Sequence, residues 1–294
     1  MFSIMIIIGT RPEITKMAPI IRKVKQFDMK LVLIHSGQHY DTQMSQIFLD
    51  DMEINEITEN LNVGSDSPGA QTAKMIEKYE KAIIKYQPDI VLALGDTNSV
   101  AAASFICSKL NIPFGHVEAG IRSFDLTMPE EINRRFAGVG ASIHFAPTEQ
   151  AVLNLYYEGI DPSRIYLTGH TVVDATIEHA IIAKQKSNIL KKLKIPKGKP
   201  LISATVHRAG NTDNKENLTN IVEAFISLEN FTIIFPVHPR TRKRLDEYGL
   251  YKKLNDCQHV ILTEPMGYLD FLQLMQNSVL IMTDSGGLQE EALI

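Results

Sequence analysis

The sequence predicts an α/β fold made of two Rossmann-like, doubly wound domains with a cleft between them. Short apolar segments typical of strands alternate with amphipathic segments of helical period, a pattern typical of parallel sheets covered by helices. The alternation stops at the lysine-rich segment 184–199 and restarts at Pro200. A chain of 294 residues is long enough for two domains of ordinary size. We expect an N-terminal domain over residues 1–168 and a C-terminal domain over residues 169–294.

The predicted strands are short apolar runs, as expected of strands that are buried on both faces of a parallel sheet. In the N-terminal domain they cover residues 4–8, 30–36, 89–95, 113–117, 143–146 and 164–168. Amphipathic helices are predicted between them, notably over residues 71–86, 100–110 and 149–158. In the C-terminal domain the predicted strands cover residues 201–206, 232–236, 260–263 and 279–282.

The composition is that of an ordinary globular protein, and it argues against several classes of function. The net charge of -4 leaves no basic face for nucleic acid. Cys107 and Cys257 are too few for a disulfide framework, and the 9 histidines show no metal-binding spacing, so no metal is expected. No apolar run is long enough to span a membrane, and the N-terminus does not resemble a signal peptide. We therefore expect a cytoplasmic protein that binds neither nucleic acid nor membranes.

The segment 283–291 is typical of a nucleotide site because Ser285, Gly286 and Gly287 lie between a predicted strand and a predicted helix. Glycines permit positive φ and close approach of the backbone, and a helix N-terminus attracts a diphosphate. Glu290 and Glu291 would then accept hydrogen bonds from ribose hydroxyls. The alternative is a capped helix with acidic residues near its start.

A second phosphate-binding segment is predicted at the end of the first strand. Arg11 and Lys16 lie about one helical turn apart behind Gly9, so both would reach the same phosphate. Ligands of open α/β sheets bind at this edge, although exposed Arg and Lys side chains are more often simply solvated.

Three carboxylates follow predicted strands of the N-terminal domain: Asp96, Glu118 and Glu130. Each has an ordinary structural interpretation: Asp96 as a helix cap, Glu118 in an ion pair with Arg122, and Glu130 as an acidic residue in the first turn of a helix. If the three converge, repulsion and burial would raise at least one pKa and thereby separate an acid from a base.

The C-terminal domain contributes three ring side chains to the candidate site. His207 and His238 each follow a predicted strand, where neutral histidines are also common as structural residues. Phe271, on the helix before the glycine turn, would stack on a nucleotide base or else belong to the core.

Together these motifs resemble the non-hydrolysing UDP-N-acetylglucosamine 2-epimerases. The matching segments follow one another in order along the chain, at residues 9–13, 95–97, 115–122, 129–134, 207–208 and 283–291. The resemblance implies a glycosyltransferase-B-like pair of domains and the interconversion of UDP-GlcNAc with UDP-ManNAc. It assigns catalysis or diphosphate binding to Arg11, Lys16, Asp96, Glu118, Glu130 and His207. It assigns contacts with UDP to Phe271, Ser285, the Gly286–Gly287 turn and Glu291.

The chemistry that the resemblance implies needs no cofactor. Loss of UDP from C1 makes the neighbouring C2 hydrogen acidic, a carboxylate removes it to give 2-acetamidoglucal, and return of a proton to the opposite face inverts C2. The expected partners are a UDP-sugar substrate and a second copy of the chain in a homodimer.

The sequence departs from the family pattern at three places. Ala209-Gly210-Asn211 follows His207-Arg208, where the family often has a Glu-Asn pair. Met266 stands at a position where a glutamine is frequent in the family. The sequence also ends at Ile294 inside a predicted helix, so we expect an incomplete C-terminal domain and a chain that is a poor epimerase without further residues.

Other functions remain open from the sequence alone. The alternatives are an epimerase of a related UDP-diacetamido or uronic-acid sugar, a glycosyltransferase-B-type transferase, and an inactive fragment that binds UDP-sugars. A second, allosteric UDP-GlcNAc site near Gln38 and His39 is also open.

Overall fold

The computed structural model describes residues 1–37, 49, 52, 54, 57–196 and 198–294. The chain divides into two compact units, Met1–Ala175 and Thr176–Ile294, here called the first and second units. The sequence predicts a boundary after residue 168, just before the helix Thr171–Lys186. The observed division lies inside that helix. Gln38 and His39, near which a second site was considered, lie outside the described residues.

The first unit contains a parallel sheet of seven strands in the order β3-β2-β1-β4-β5-β6-β7. Its strands are β1 Ser3–Ile8, β2 Lys30–His35, β3 Glu59–Asn60, β4 Ile90–Leu94, β5 Phe114–Val117, β6 Ile143–Ala146 and β7 Ile165–Leu167. The register pairs Ile6 with Leu33 on one side and with Leu92 on the other. All six residues of β1 are buried, which explains why the five residues after Ser3 are all apolar. The doubly wound α/β fold is confirmed, and the two-residue strand β3 was not predicted.

Helices connect the strands of the first unit. They are α1 Arg11–Gln26, α2 Pro68–Tyr86, α3 Asn98–Leu110, α4 Pro129–Gly140 and α5 Glu149–Tyr157, followed by α6 Thr171–Lys186 across the division. Pro68 and Pro129 occupy the first helical turns, where a missing N–H costs nothing, so α2 begins earlier than its apolar period predicts. Thr148 caps α5 by accepting a hydrogen bond from the N–H of Ala151.

The second unit contains a parallel sheet of four strands in the order β10-β9-β8-β11. Its strands are β8 Leu201–Thr205, β9 Thr232–Pro236, β10 Val260–Thr263 and β11 Leu280–Thr283. Its helices are α7 Ile189–Lys192, α8 Ala209–Thr212, α9 Lys215–Ser227, α10 Pro239–Glu247, α11 Tyr251–Asn255, α12 Tyr268–Gln276 and α13 Gly286–Ala292.

Each unit has its own apolar core. In the first unit, Met5, Ile34 and Phe114 from the sheet pack with Tyr79 of α2. In the second unit, Phe225 of α9 and Phe235 of β9 meet edge to face, with ring centroids 5.4 Å apart. Among the described residues, no helix combines the length and the apolar character needed to cross a membrane.

Candidate functional site

The carboxyl ends of β1, β4 and β5 bring three of the predicted segments to one edge of the first sheet. These strands are neighbours in the sheet, so Gly9, Asp96 and Glu118 follow adjacent strand ends. The chain leaves β1 toward β2 on one side and β4 lies on the other, which makes this edge a topological switch point. Open α/β sheets bind their ligands at such points.

Glu13 joins two of these strand ends from a buried position. Its carboxylate accepts hydrogen bonds from the N–H groups of Gly9 at 2.7 Å and Thr10 at 2.8 Å, and from the Thr97 hydroxyl at 2.6 Å. Burial raises the pKa of Glu13, and these hydrogen bonds oppose that effect. The N–H groups behind β1 therefore bind the protein's own carboxylate, which leaves Arg11, exposed at the start of α1, as a positive group of this loop.

Glu118 lies at the centre of a charged cluster at the end of β5. Its φ of 68° places it in the left-handed region, which is costly for a residue with a side chain and is often found at functional sites. Its carboxylate lies 2.9 Å from Lys16 Nζ and 3.1 Å from His170 Nε2. Burial raises the pKa of Glu118, but the hydrogen bond from His170 and the charge of Lys16 outweigh it and lower the pKa to about 2. Glu118 is therefore ionised at neutral pH.

The alternative interpretation of Glu118, an ion pair with Arg122, is wrong. The guanidinium of Arg122 binds both carboxylate oxygens of Glu158, the residue directly after α5, at 2.7 Å each, and the Arg122 side chain is fully buried. The positive φ at Glu118 turns the chain between the two residues, so their proximity in sequence does not make them partners. Arg122 holds the loop to α5, while Glu118 is left to Lys16 and His170.

Asp96 lies beside this cluster, at the end of β4. It forms an ion pair with Arg134 of α4, and Asn133 Nδ2 donates to its backbone oxygen at 2.9 Å. Burial raises the pKa of Asp96; Arg134 lowers it, and the charges of Glu118 and Glu130 raise it again. The helix-cap alternative is wrong, because Thr97 is the N-cap of α3. Asp96 and Glu118 thus form a pair of carboxyl groups whose pKa values move in opposite directions.

Two adjacent carboxylates begin α4, and they have different surroundings. Glu130 is exposed, and its charge acts on Asp96. Glu131 is fully buried and accepts hydrogen bonds from the Ser123 N–H at 2.9 Å and from Arg135 Nε at 2.9 Å. Glu131 therefore anchors the segment that precedes α4, and Glu130 remains directed to the surface.

Four residues of this region were missed by sequence reasoning: Glu13, Glu131, Arg134 and His170. A signal existed for Glu13, because Thr10-Arg11-Pro12-Glu13 has the Thr-x-x-Glu spacing of a capping box. No local signal exists for His170, whose partner Glu118 is distant in the chain and is brought near by the sheet.

In the second unit, Asp284 joins the ends of β8 and β11. It accepts hydrogen bonds from the N–H groups of His207 at 3.0 Å and Arg208 at 2.9 Å, and from Asn211 Nδ2 at 3.0 Å. His207 Nδ1 lies 2.9 Å from the same carboxylate. Burial raises the pKa of Asp284, but these hydrogen bonds and His207 lower it overall. Asn211 keeps this contact although Ala209 and Gly210 depart from the family pattern.

The glycine turn lies between β11 and α13, as the sequence predicts. Ser285 is the N-cap of α13 and accepts from the Leu288 N–H at 3.5 Å, while Gly286 and Gly287 begin the helix without positive φ. Nothing lies within 4 Å of the Cβ position of Gly287, whereas Arg208 Nη2 lies 3.5 Å from that of Gly286, so the open space is at Gly287. The glycines therefore contribute small size here and do not use the positive φ that they permit.

The remaining candidates of the second unit have mixed surroundings. Phe271 of α12 is half-buried and packs beside Leu272 and Leu274, so it belongs partly to the core. His238 caps α10 by accepting from the Arg240 N–H at 3.2 Å, which is a structural role. Burial is the main cause of the raised pKa of Tyr268, and the charge of Glu291, on α13, raises this pKa further.

Comparison with known proteins gives the family of this chain. A sequence model of the family described as UDP-N-acetylglucosamine 2-epimerase matches residues 22–294. The chain belongs to the UDP-N-acetylglucosamine 2-epimerase family. The resemblance inferred from the motifs is confirmed.

Relatives in this epimerase family match along the whole chain. The UDP-N-acetylglucosamine 2-epimerase of Methanococcus maripaludis is 46% identical over 100% of this chain and 81% of its own length. The enzyme of the same name from Methanocaldococcus jannaschii is 46% identical over 98% of this chain and 80% of its own. A UDP-2,3-diacetamido-2,3-dideoxy-D-glucuronate 2-epimerase from Pseudomonas aeruginosa is 38% identical over 98% of this chain and 80% of its own.

Solved structures of epimerases have the same fold. The Methanocaldococcus jannaschii UDP-GlcNAc 2-epimerase in complex with UDP-GlcNAc and UDP has a TM-score of 0.84 at 45% identity, covering 99% of this chain and 81% of that chain. The Neisseria meningitidis enzyme bound to UDP-GlcNAc has a TM-score of 0.87 at 32% identity, covering 98% of this chain and 79% of that chain. A Streptomyces glycosyltransferase, with a TM-score of 0.53 at 8% identity over 99% of this chain and 78% of that chain, is similar in fold alone. The glycosyltransferase-B-like fold class of this epimerase is confirmed.

Proposed function

We propose that this chain is a non-hydrolysing 2-epimerase that interconverts UDP-N-acetylglucosamine and UDP-N-acetylmannosamine by elimination and re-addition of UDP. Membership of the family supports the reaction, and several relatives carry that name. The observation that carries the proposal is the pair Asp96 and Glu118, two carboxyl groups on adjacent strand ends with pKa values moved in opposite directions. Such a pair provides an acid or base and a permanent anion in one site.

The reaction breaks two bonds of the sugar and then forms them again. The C1–O bond breaks with its electron pair going to UDP, and the C2–H bond breaks with its proton going to a base and its electrons forming the C1–C2 double bond of 2-acetamidoglucal. Addition of a proton to the other face of C2 and of UDP to C1 gives the epimer. Each positioned acid or base contributes roughly 10²–10⁴ in rate, so more than one group is needed.

The carboxylates of the first unit have different proposed roles. Asp96 is assigned a proton transfer at C2, because a carboxyl group with a raised pKa is the better proton carrier near neutral pH. Glu130, whose charge acts on Asp96, is assigned the transfer on the opposite face. Glu118 stays ionised and stabilises the positive charge that develops on the sugar ring as UDP leaves. Lys16 keeps Glu118 ionised, and with Arg11 it offers positive charge to the diphosphate.

The second unit is assigned the UDP end of the substrate. Ser285, Gly286 and Gly287 form a helix start with open space at Gly287 and the Arg208 guanidinium near Gly286, which suits a phosphate. His207 is assigned a hydrogen bond to the leaving diphosphate. Glu291 and Phe271 are proposed to contact the ribose and the base, respectively.

The test of the elimination route is the isotope content of C2. The protein is incubated with UDP-GlcNAc in D₂O, the two UDP-sugars are separated, and C2 is analysed by NMR. We expect UDP-ManNAc with deuterium at C2, and deuterium also entering the recovered UDP-GlcNAc. Complete epimerisation with the original hydrogen retained at C2 would reject the route. A Glu77→Gln protein, changed at an exposed carboxylate of α2, serves as the control with unchanged exchange.

The name of one relative suggests a second candidate substrate for this chain. The Pseudomonas aeruginosa protein that is 38% identical is named a UDP-2,3-diacetamido-2,3-dideoxy-D-glucuronate 2-epimerase. The two substrates differ at C3 and C6, so parallel assays of kcat/KM with each UDP-sugar decide between them. We expect the larger kcat/KM for UDP-GlcNAc, and a larger value for the diacetamido uronate would transfer the assignment to that sugar.

We also propose that the protein is a homodimer that uses an apolar face of α3 and α4. Phe105, Phe136 and Val139 are exposed by 47%, 65% and 82% on these two helices. The helices touch next to these residues, where Ser104 Oγ donates to the Ala137 oxygen at 3.0 Å, so the three side chains belong to one region. Apolar side chains clustered in this way favour contact with another protein surface, and a second copy offers the same face.

Light scattering with size-exclusion chromatography tests the dimer. A Phe136→Asp change is expected to give monomers, and Phe27→Asp, at a residue of α1's C-terminal end that is exposed by 68%, should leave the dimer intact. A wild-type monomer at micromolar concentration would reject the proposal. The cytoplasmic location and the domain boundary after residue 168 stay predictions from the sequence.

A further inference from the structure

The strand ends of the second unit form a small polar centre around one carboxylate. Asp284 follows β11, directly before the glycine turn, and its side chain crosses to the loop after β8. It binds two backbone N–H groups, the Asn211 amide and the imidazole of His207. The carboxylate therefore fixes both the backbone and the ring orientation of His207.

Elementary chemistry decides which ring nitrogen of His207 carries the proton. A carboxylate with a lowered pKa is ionised at neutral pH and only accepts hydrogen bonds. The nitrogen 2.9 Å from it is Nδ1, so Nδ1 must be the protonated atom. Nε2 lies on the far side of the ring from Asp284 and is the atom presented to a ligand; the His207 side chain is exposed by 40%.

We propose that Asp284 is a positioning residue for His207: it holds the imidazole with its proton on Nδ1, and so presents Nε2 to the diphosphate of the UDP-sugar. The inference rests on the proposed function for its ligand, and it adds a partner that sets the chemistry of His207. When Nε2 also carries a proton, it donates a hydrogen bond to the departing diphosphate oxygen. Because Ser285 and Gly286 follow Asp284 directly, one residue ties the predicted diphosphate turn to the predicted histidine.

Other groups near His207 carry positive charge or gain it on protonation. The ring of His238 lies 5.9 Å from that of His207, between centroids, and the neighbouring Arg208 reaches within 3.5 Å of the Cβ position of Gly286. Asp284 Oδ1 lies 2.9 Å from Nδ1 of His207, so removal of the Asp284 carboxylate takes away the acceptor that holds the proton on this nitrogen.

The experiment is NMR of ¹⁵N-labelled imidazoles in the full chain, with His207 assigned by a His207→Gln protein. In the unligated wild type, at a pH where the ring is neutral, we expect the proton of His207 on Nδ1. In Asp284→Asn we expect the Nε2–H tautomer to become populated. Asn211→Ala is the matched control, because it removes a different partner of the same carboxylate and should leave the tautomer unchanged.

Activity gives the second readout. We expect Asp284→Asn to lower kcat at least tenfold. A wild-type His207 with its proton on Nε2, or an unchanged tautomer of His207 in a folded Asp284→Asn protein, would overturn the inference. The tautomer is measured without substrate, so a protein that shows the expected tautomer but no epimerisation would refute the proposed function and leave the pairing standing. If Asp284→Asn does not fold, the position of the His207 proton in the wild type still tests the inference: Nδ1 supports it and Nε2 overturns it.

Discussion

At the scale of single residues, burial and partners divide similar side chains into different roles. Glu118 and Asp96 are both carboxyl groups at strand ends, yet Lys16 and His170 lower the pKa of the first while burial raises that of the second. Glu130 and Glu131 are adjacent, yet one is exposed and the other is fully buried and bonded to Ser123 and Arg135. Residue type alone does not separate these roles, because pKa depends on the surroundings.

The first prediction concerns the two carboxyl groups with shifted pKa. Asp96→Asn and Glu118→Gln should each lower kcat at least about a hundredfold, since each removes a proton carrier or a fixed charge that acts in the transition state. Steady-state kinetics with UDP-GlcNAc measure the effect, and circular dichroism checks folding. Glu77→Gln is the control. A folded variant with kcat within threefold of wild type would remove that residue from the site.

The second prediction concerns Glu13. Glu13→Gln should keep the N–H groups of Gly9 and Thr10 bonded through its amide oxygen, while the Thr97 hydroxyl turns to accept from the amide nitrogen. Glu13→Ala leaves the two N–H groups of Gly9 and Thr10 without this acceptor and should cost roughly 2–6 kcal/mol of unfolding free energy, at about 1–3 kcal/mol per N–H group. Urea denaturation measures both. Equal losses in the two variants would show that the charge of Glu13 matters more than its acceptor geometry.

At the scale of elements, the loops after the strands are shaped by close contacts that a strand-and-helix pattern does not contain. Gly120, two residues after Glu118, has φ of +82°, and a Cβ there would lie 2.2 Å from the Ala151 oxygen of α5. Asn154 Nδ2 donates to the Gly120 oxygen at 2.9 Å. The loop that carries Glu118 is therefore packed tightly onto α5 and is stiff.

The third prediction separates this close contact from backbone strain. Gly120→Ala should destabilise the protein by several kcal/mol and lower activity, because both φ and the clash with backbone oppose a methyl group. Gly159→Ala has a similar φ of +81° but nothing within 4 Å of its Cβ position, so it should cost only about 1 kcal/mol. Thermal denaturation compares them. Equal costs would assign the requirement for glycine to φ alone.

At the scale of the whole molecule, buried titratable groups link stability to pH. Burial lowers the pKa of His116 to about 4 and also lowers the pKa of His144 to about 4. The Nε2 atom of His116 lies 2.8 Å from the Gly95 oxygen. In the unfolded chain their pKa lies near 6.5, so between these values the unfolded state binds more protons. The stability they contribute is full above about pH 6.5 and is lost as the pH falls toward 4.

The fourth prediction is the size and origin of that loss. Protonation of each histidine should lower the free energy of unfolding by up to about 3 kcal/mol between pH 6.5 and 4, at about 1.4 kcal/mol per unit of pKa difference between the folded and unfolded states. The raised pKa values of Glu13 and Asp96 oppose the trend, so the net loss should be smaller than the sum. Urea denaturation at several pH values gives the slope, and His144→Leu should reduce it. An unchanged slope in that variant would exclude His144 as a source.

The sequence by itself determined the fold class, most strand positions and the family. Strands such as β1 are buried on both faces and are therefore mostly apolar, and helices repeat with their own period, so both kinds of element are visible in the local sequence. The motifs also pointed to Asp96 and Glu118 in the first unit and to His207 and Ser285 in the second, because each pair follows strands whose carboxyl ends share an edge of its own sheet.

Only the tertiary structure decided which partners these residues have. His170 and Lys16 reach Glu118, Arg134 reaches Asp96, and Asp284 reaches His207 across distances in the chain that local patterns do not encode. The sequence left open an ion pair of Glu118 with Arg122, and that alternative is wrong because Arg122 binds Glu158. The physical reason is that hydrogen bonds and pKa shifts act over a few ångströms in space, and the parallel sheet decides which distant residues come that close.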